Sequence, residues 1–450
     1  MKDDLKNSSS RRDFINKSSL SGAAILGGGF GTSFFPEKEF AGLLEPDTKL
    51  STIKDLNINE LKEKYHKALF GEFIPNMESL VVDHEYGGFM CSVDILNRKT
   101  LNTNKRAWFE GRGIWTYSYL YNNFEKNPRY LEIATKSKDF ILKLLPEDGS
   151  YYITNFTREG KPIGNVPGDI YGNLFVAEGL AEYSKASGQK QYLDQAIQII
   201  LNAVERYDSP NFEYVYKAEK RITGPRILGH WMILLSVSTQ ILKQGQDDKI
   251  EALADRCVDA ILNHHLTKEY SVLNEALAHD LSPLSDPVAS QYGDIGHGCE
   301  TLAFIMNYAV FKKDKELFTR SSDEFKRHVE IAKDDVFGGH YYAFQNIPAN
   351  TYLLTKVRWL QEEILIGALI LIEHTGDEWA LRCFTDTEQY VREKFLRPEY
   401  AFPIDSSDRK VLKHSTARAE HYHYPRQLMV CMLAFNRILK RNGKPSGLFS

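Results

Sequence analysis

The sequence predicts an all-α protein: an (α/α)6 barrel, a toroid of six helical hairpins with short β-hairpin connections. Three observations predict it. First, twelve helical patterns follow one another from Asn57 onward, separated by short Gly-rich, strand-like stretches. Second, the even-numbered patterns are apolar all round, as in Ile364-Leu365-Ile366-Gly367-Ala368-Leu369-Ile370-Leu371-Ile372, whereas odd ones such as residues 136–143 are amphipathic with a charged outer face. Helices apolar on every side are buried and amphipathic ones cover them, so two concentric rings of six follow. Third, a polar residue stands near the start of each even helix. These are Arg112, Asn173, His230, His297, Glu363 and His423, spaced by 57 to 67 residues. One such interval holds a helical hairpin and its connection. Closing six around an axis gathers the six starts at one mouth, a polar ring above an apolar barrel where a ligand binds.

The elements run in order. Helix one is expected over Asn57 to Val82, followed by a short strand, Gly87 to Asp94, and a turn near Asn97. Helix two runs from Arg106 to Tyr121 and helix three from Pro128 to before Pro146, with a hairpin over Tyr151 to Lys161. Helix four spans Asp169 to Ser187, helix five Gln189 to Tyr207, helix six begins near Arg226, and helix seven covers Asp248 to Leu266. Helix eight opens at His297 after irregular sequence with Pro283 and Pro287, and helix nine takes Lys315 to Asp334. Helices ten, eleven and twelve take Thr355 to His374, Asp377 to Phe395 and Glu420 to Arg441.

The chain has 450 residues, 42% hydrophobic and 26% charged, enough to bury a large core. A net charge of -4 and a pI near 6.4 argue against nucleic acid or anionic membranes as partners and for a small molecule. Five cysteines, Cys91, Cys257, Cys299, Cys383 and Cys431, are odd in number and widely spaced, which suggests neither a disulfide framework nor a thiolate metal site. Residues 1–45 read as a separate export signal and linker. Ser10-Arg11-Arg12-Asp13-Phe14-Ile15-Asn16-Lys17, followed by Ser-, Gly- and Ala-rich sequence to Phe35, resembles a twin-arginine signal. Export to the periplasm is the expectation, with the segment as a possible weak anchor and residues 46–450 forming one catalytic domain.

Certain residues carry chemistry. His297 and Glu300, at i and i+3 in Gly296-His297-Gly298-Cys299-Glu300, share a helix face where a base and a carboxylate act together. Arg112, in Trp108-Phe109-Glu110-Gly111-Arg112, keeps its proton and suits an oxygen that gains charge. Trp359 and Glu363, four apart, pair an aromatic platform with a carboxylate. In His421-Tyr422-His423-Tyr424-Pro425-Arg426 the two histidines face different ways on a helix, and Pro425 fits a first turn that sets His423 at the mouth. No carboxylate stands at ligand spacing from His414, His421 or His423, so no metal is expected.

These motifs together resemble the N-acylglucosamine 2-epimerase, or renin-binding protein, family. Gly87-Gly88-Phe89, Trp108 to Arg112, Gly229-His230-x-Met232-Ile233, Gly296-His297-x-x-Glu300, Trp359-x-Gln361-x-Glu363 and Tyr422-His423-x-Pro425-Arg426 occur in family order from Asn57 to Leu439. The resemblance implies an (α/α)6 barrel that epimerises or isomerises sugars at C2 without metal or redox cofactor. It implies His297 and His423 as the acid/base pair and Arg112 as holder of the enediolate oxygen. Glu300 and Glu363 become substrate or histidine positioners, with Trp359, Asn173, His230 and Trp108 also lining the substrate. A homodimer is a further expectation. Departures stand out: Arg358 replaces a frequent tryptophan and Glu110 a frequent glutamine, implying changes at the substrate's far end. Asn173 stands where a ring-opening histidine is common, and Thr301-Leu302-Ala303 follows Glu300 in place of the more frequent small residue and tryptophan.

Interconversion of N-acylglucosamine and N-acylmannosamine is the leading expectation, because Pro425-Arg426 and Gly229-His230-x-Met232 favour the acylhexosamine branch. The alternatives are an aldose–ketose isomerase, a mannose/glucose or cellobiose 2-epimerase, an (α/α)6 glycoside hydrolase or unsaturated glucuronyl hydrolase using Glu300 and Glu363, and a non-catalytic carbohydrate- or protein-binding module.

Overall fold

The computed structural model describes residues 51–449 apart from 55, 165–167 and 217–219. The twin-arginine stretch and the expected boundary at residue 45 lie outside these. Twelve long helices are present among the described residues. We number them α1 (Ile58–His66, Lys67–Phe73 and Ile74–Leu80, one run whose middle segment winds as a π helix), α2 (Ala107–Asn123), α3 (Pro128–Leu142), α4 (Ile170–Ser187), α5 (Gln191–Tyr207) and α6 (Leu228–Leu242). The rest are α7 (Asp248–Asp259, continued by π-wound Ala260–His265), α8 (Ile295–Lys312), α9 (Lys315–Ala332), α10 (Arg358–Thr375), α11 (Glu378–Lys394) and α12 (His423–Lys440).

The even helices form the inner ring. Each packs on the next, α2 on α4, then α6, α8, α10 and α12, and α12 returns to α2. Each odd helix covers an even one, with α1 on α12, α3 on α2, α5 on α4, α7 on α6, α9 on α8 and α11 on α10. Apolar pattern decides the layer: α10 is buried from Leu360 to Leu369 without a break, whereas α3 buries only one face, Tyr130, Ile133, Ala134, Ser137, Lys138, Phe140 and Ile141. Where α2 crosses α4, a Cβ on Gly111 would lie 2.2 Å from the Phe175 backbone, so only glycine permits the approach. No helix among the described residues is long and apolar enough to cross a membrane.

Two-residue strands staple neighbouring inner-helix starts around the mouth. Lys105–Arg106 pairs with Asn155–Phe156, Arg226–Ile227 with Ala276–Leu277, Gly293–Asp294 with part of Ala343–Asn346, and Lys356–Val357 with Ser406–Ser407. The first N–H groups of α2, α6 and α10 donate to the neighbouring connection: Ala107 to Thr154 O (3.3 Å), Leu228 to Glu275 O (2.8 Å) and Arg358 to Asp405 O (3.0 Å). Alternate helices α4 and α8 are instead capped by their own Asp169 and Asp294. The starts of α2, α6 and α10 thus share one pattern at every second hairpin, a period the 57–67-residue spacing does not display.

Buried cations repeat with the same period. Lys105 Nζ lies 2.9 Å from Asp83, Arg226 3.2 Å from Asp208 and Lys356 3.1 Å from Asp334. The first and third copies agree in detail, since Arg158 chelates Asp83 and Arg409 chelates Asp334 through two hydrogen bonds each.

The strand expected over Gly87 to Asp94 is only Val93–Asp94, paired with Lys99–Thr100. Gly87 and Gly88 take φ of 77° and 89°, which makes that stretch a turn. Helices ten and twelve begin three residues later than expected: 356–357 joins the strand belt, and Glu420 folds back to receive the backbone N–H groups of Tyr422 and His423.

Candidate active site

The inner-helix starts meet in a closed circuit of side chains. Trp108 packs edge-on against Tyr171 (6.3 Å between centroids) and Tyr171 against His230 (4.8 Å). A Cβ on Gly229 would touch both the Tyr171 hydroxyl and the His297 ring. His297 neighbours Trp359 (5.8 Å) and Trp359 neighbours His423 (5.3 Å). His423 abuts Tyr422, whose ring carries the Arg112 guanidinium at 4.7 Å, and Arg112 returns to Trp108 at 5.4 Å.

Each histidine is anchored through Nδ1. His297 Nδ1 lies 3.0 Å from Glu275 Oε1, and His423 Nδ1 lies 2.9 Å from Glu363 Oε1. Facing an ionised carboxylate, each Nδ1 carries the proton, and Nε2 has no hydrogen-bond partner among the described residues. Their surroundings differ. Burial works against a charged His297, but Glu275, Asp294 and Glu300 outweigh it and raise its pKa to about 10. Burial prevails at His423, whose pKa is lowered in spite of Glu363 and Glu420. At neutral pH His297 is an imidazolium and His423 a neutral imidazole, an acid beside a base.

Arg426, one turn along α12 from His423, ties the carboxylates together by bonding Glu363 and reaching Glu300 at 3.4 Å. Against burial, Arg426 and His423 hold the Glu363 pKa down. Glu300 goes the other way: burial and the Glu363 charge push it to about 8, so it is largely protonated at neutrality. Arg112 is buried over the Phe175 ring (4.1 Å) and makes no hydrogen bond or ion pair with any described residue. Gly296 is required where Trp359 crosses the α8 start, because a Cβ there would meet the indole at 2.4 Å.

Of the residues singled out from sequence, the fold brings together His297, Glu300, Trp359, Glu363, His423, Arg112 and Trp108. It sets two apart. Asn173 accepts the Tyr152 N–H (3.0 Å) and braces the connection before α4. His230 is fully buried among Tyr171, Tyr207, Phe212 and Tyr214, which hold it uncharged. Arg358 and Glu110 are fully buried and bond to partners within the protein. Arg358 is sealed between Glu362 and Glu420, and Glu110, also fully buried, receives the Phe89 N–H at 3.1 Å.

Carboxylates do accompany His423, and beyond Glu420, three residues before it, they come from distant parts of the chain. Glu300 and Glu363 arrive from α8 and α10, and a second cluster joins Glu275, Asp294 and His297. In the first, Arg426 supplies the positive charge; in the second, His297 does. His421 belongs to neither, since it bonds Phe109 O (2.8 Å) and lies 3.3 Å from Cys91 Sγ. Sequence reasoning passed over Glu275, which sits in a connection without a motif. It also passed over Glu178, whose only signal is a charge in the apolar run of α4.

The model of the N-acylglucosamine 2-epimerase family matches residues 87–426. Mouse N-acylglucosamine 2-epimerase is 26% identical over 377 residues, covering 80% of this chain and 88% of the mouse protein. Cellobiose 2-epimerase of Bacteroides fragilis is 22% identical over 352 residues, covering 74% of this chain and 87% of that one. Among solved structures, cellobiose 2-epimerase from Bacillus thermoamylovorans superposes with a TM-score of 0.72 at 17% identity, over 83% of this chain and 99% of that one. A family 76 glycoside hydrolase from Bacteroides thetaiotaomicron shares the barrel at a TM-score of 0.55 and 10% identity, over 86% and 79%. With the family's model matching residues 87–426, most of the toroid, this chain belongs to the N-acylglucosamine 2-epimerase family.

Proposed function

We propose that this enzyme, a carbohydrate 2-epimerase by family, interconverts N-acylglucosamine and N-acylmannosamine through an enolate intermediate. The observation that carries the mechanism is the pair of unequal histidines, each fixed at Nδ1 by a carboxylate with Nε2 left for the sugar. In one direction, Nε2 of neutral His423 takes the proton from C2 of the open-chain sugar. The C2–H electron pair forms a C1–C2 double bond, and charge moves to the C1 oxygen, where Arg112 holds it. Nε2 of His297 then delivers its proton to the other face of C2, and the C1 carbonyl returns. The histidines have exchanged protonation states and the reverse reaction uses them in exchanged roles. Trp359, beside both rings, offers the sugar a flat face.

The acyl sugar is supported by the mammalian relatives and by Pro425-Arg426 after His423. An acylamino group at C2 also leaves no hydroxyl there to become a ketone, so the aldose–ketose isomerase route needs a different sugar. The hydrolase reading lacks support at Glu300 and Glu363, which Arg426 ties together in place of two independent carboxyls. Proton NMR in D2O with N-acetylmannosamine, N-acetylglucosamine, mannose, glucose and cellobiose separately tests the assignment. Loss of the C2 proton with the epimer appearing is expected for the acetylated pair; turnover of cellobiose or mannose alone would overturn the substrate.

The proposal extends to location: Ser10 to Phe35 directs twin-arginine export to the periplasm. Replacing Arg11 and Arg12 by lysine is expected to retain the protein in the cytoplasm, and unchanged fractionation of that variant would refute export by this route.

A further inference from the structure

Glu178 has no part in the chemistry above, yet it is 2% exposed on α4 and tied to the site. The hydroxyl of Tyr422, the residue before α12, donates to both carboxylate oxygens at 2.8 and 2.9 Å. Trp115 and Phe175 enclose the phenol ring at 5.3 and 5.9 Å, and the guanidinium carbons of Arg112 and Arg426 lie 4.7 and 5.4 Å from its centroid. Among the described residues Arg112 makes no ion pair, and although the Glu420 charge acts on it, the groups in contact with its guanidinium are aromatic faces. A phenol donating to a carboxylate gains electron density in its ring, which strengthens its pull on a cation, and the charged hydrogen bond fixes the ring itself.

We propose that Glu178, acting through the hydroxyl and ring of Tyr422, is a positioning residue that holds the Arg112 guanidinium where the sugar's oxyanion develops, and that it does so only when ionised. The inference rests on the reading of Arg112 as the oxyanion holder. The charged groups facing Glu178 are Arg426 from α12, Arg112 from α2 and Glu182 from its own helix; α6 contributes the neutral Gln240 amide to the Glu178 carbonyl (3.2 Å). Burial pushes the Glu178 carboxyl up to about 7 against the pull of Tyr422, Arg426 and Arg112. Glu178, Tyr422 and Arg426 also line a cavity of about 1140 Å³ that extends to the C-terminal ends of the inner helices, away from the helix starts that gather the histidines. A raised carboxyl loses its charge as pH falls through about 7, so turnover loses Arg112's support on that side of neutrality.

The test compares wild type, Glu178→Gln, Tyr422→Phe and the double variant, using whichever sugar the wild type epimerises, with kcat and KM followed from pH 5.5 to 9. Wild type is expected to show an acid-side step in kcat near pH 7. Glu178→Gln is expected to lose that step and to run roughly tenfold below wild type at pH 8, with KM changed by less than about twofold. Tyr422→Phe should lose a similar factor, and the double variant no more than either single one, because both act through one hydrogen bond. A folded Glu178→Gln enzyme with the wild-type profile, or losses that multiply, would overturn the inference. Should Glu178→Gln fail to fold, Tyr422→Phe decides alone, since an unaltered step near pH 7 in it is equally fatal. Absence of wild-type turnover on every sugar would fall on the functional reading instead, and turnover of an unexpected sugar would change only the substrate.

Discussion

His297 and His423 are the same residue type at the same kind of helix start, yet their neighbours set them apart. Glu275 and Asp294 crowd His297 with negative charge, whereas at His423 burial, helped by Arg112, outweighs the nearby carboxylates. The raised His297 pKa means its proton is present at neutrality and lost as pH rises through about 10, so activity that needs this proton falls on that alkaline limb. Removing the largest raising charge moves the limb down. In Glu275→Gln, kcat/KM is expected to fall roughly tenfold for each unit by which the limb drops below the assay pH, with the acid limb in place. A pH profile identical to wild type would refute the pairing. Replacing either histidine by asparagine should lower epimerisation about 10²–10⁴-fold in both directions, while the remaining histidine still exchanges the C2 proton of the one epimer it faces; near wild-type epimerisation in either variant would contradict the two-base scheme. Sequence spacing placed both histidines, but not the Glu275 that differs between them, because that partner comes from a connection 22 residues away in no regular pattern.

At the scale of elements, the barrel is tied by buried ion pairs at the connection from outer to inner helix. Asp83 receives Lys105 and Arg158, and Asp334 receives Lys356 and Arg409, each residue 251 positions after its counterpart. Lys105 and Lys356 are fully buried and their amines also reach the carbonyls of Gly87 and Gly338, both at 2.6 Å. Lys105→Met leaves a buried carboxylate short of a partner and is expected to cost about 3–5 kcal/mol in chemical denaturation, as is Lys356→Met. Arg158→Ala, at a side chain 32% exposed and screened by solvent, should cost clearly less than either lysine variant. Comparable losses for the lysine and arginine variants would show that burial does not govern these pairs. Burial opposes ionisation of Asp83, but Arg158 and Lys105 outweigh it and lower its pKa to about 2. The stability it contributes is therefore complete above roughly pH 4, its unfolded value, and is lost as pH falls through about 2. Helix existence and layer were legible here, since an apolar run such as Leu360 to Leu369 has nowhere to go but inside. The staples were not, since Asp83, Lys105 and Arg158 lie 22 and 53 residues apart and belong to no short motif.

For the whole molecule, closure of the inner ring is what makes a site: α12 packs on α2, which sets His423 and Tyr422 against Arg112 across more than 300 residues of chain. A chain lacking the first 45 residues is expected to keep its circular dichroism, melting temperature and turnover within about 20% of the full chain, because residues 51–449 hold the closed ring and the gathered site. A large loss of turnover in that chain would show that the leader completes the catalytic unit. The sequence by itself determined the twelve helices, their sorting into rings and the mouth that gathers the six starts, because periodicity and burial are local properties read along one helix at a time. Its ordered motifs also determined the family. Only the tertiary structure decided which charges surround each histidine, that Arg358 and Glu110 are sealed among partners within the protein, that Asn173 accepts a backbone N–H, and that the Glu178 carboxylate receives the Tyr422 hydroxyl. Those outcomes depend on charges and faces brought from different helices, and electrostatic energy follows distance in space rather than separation along the chain.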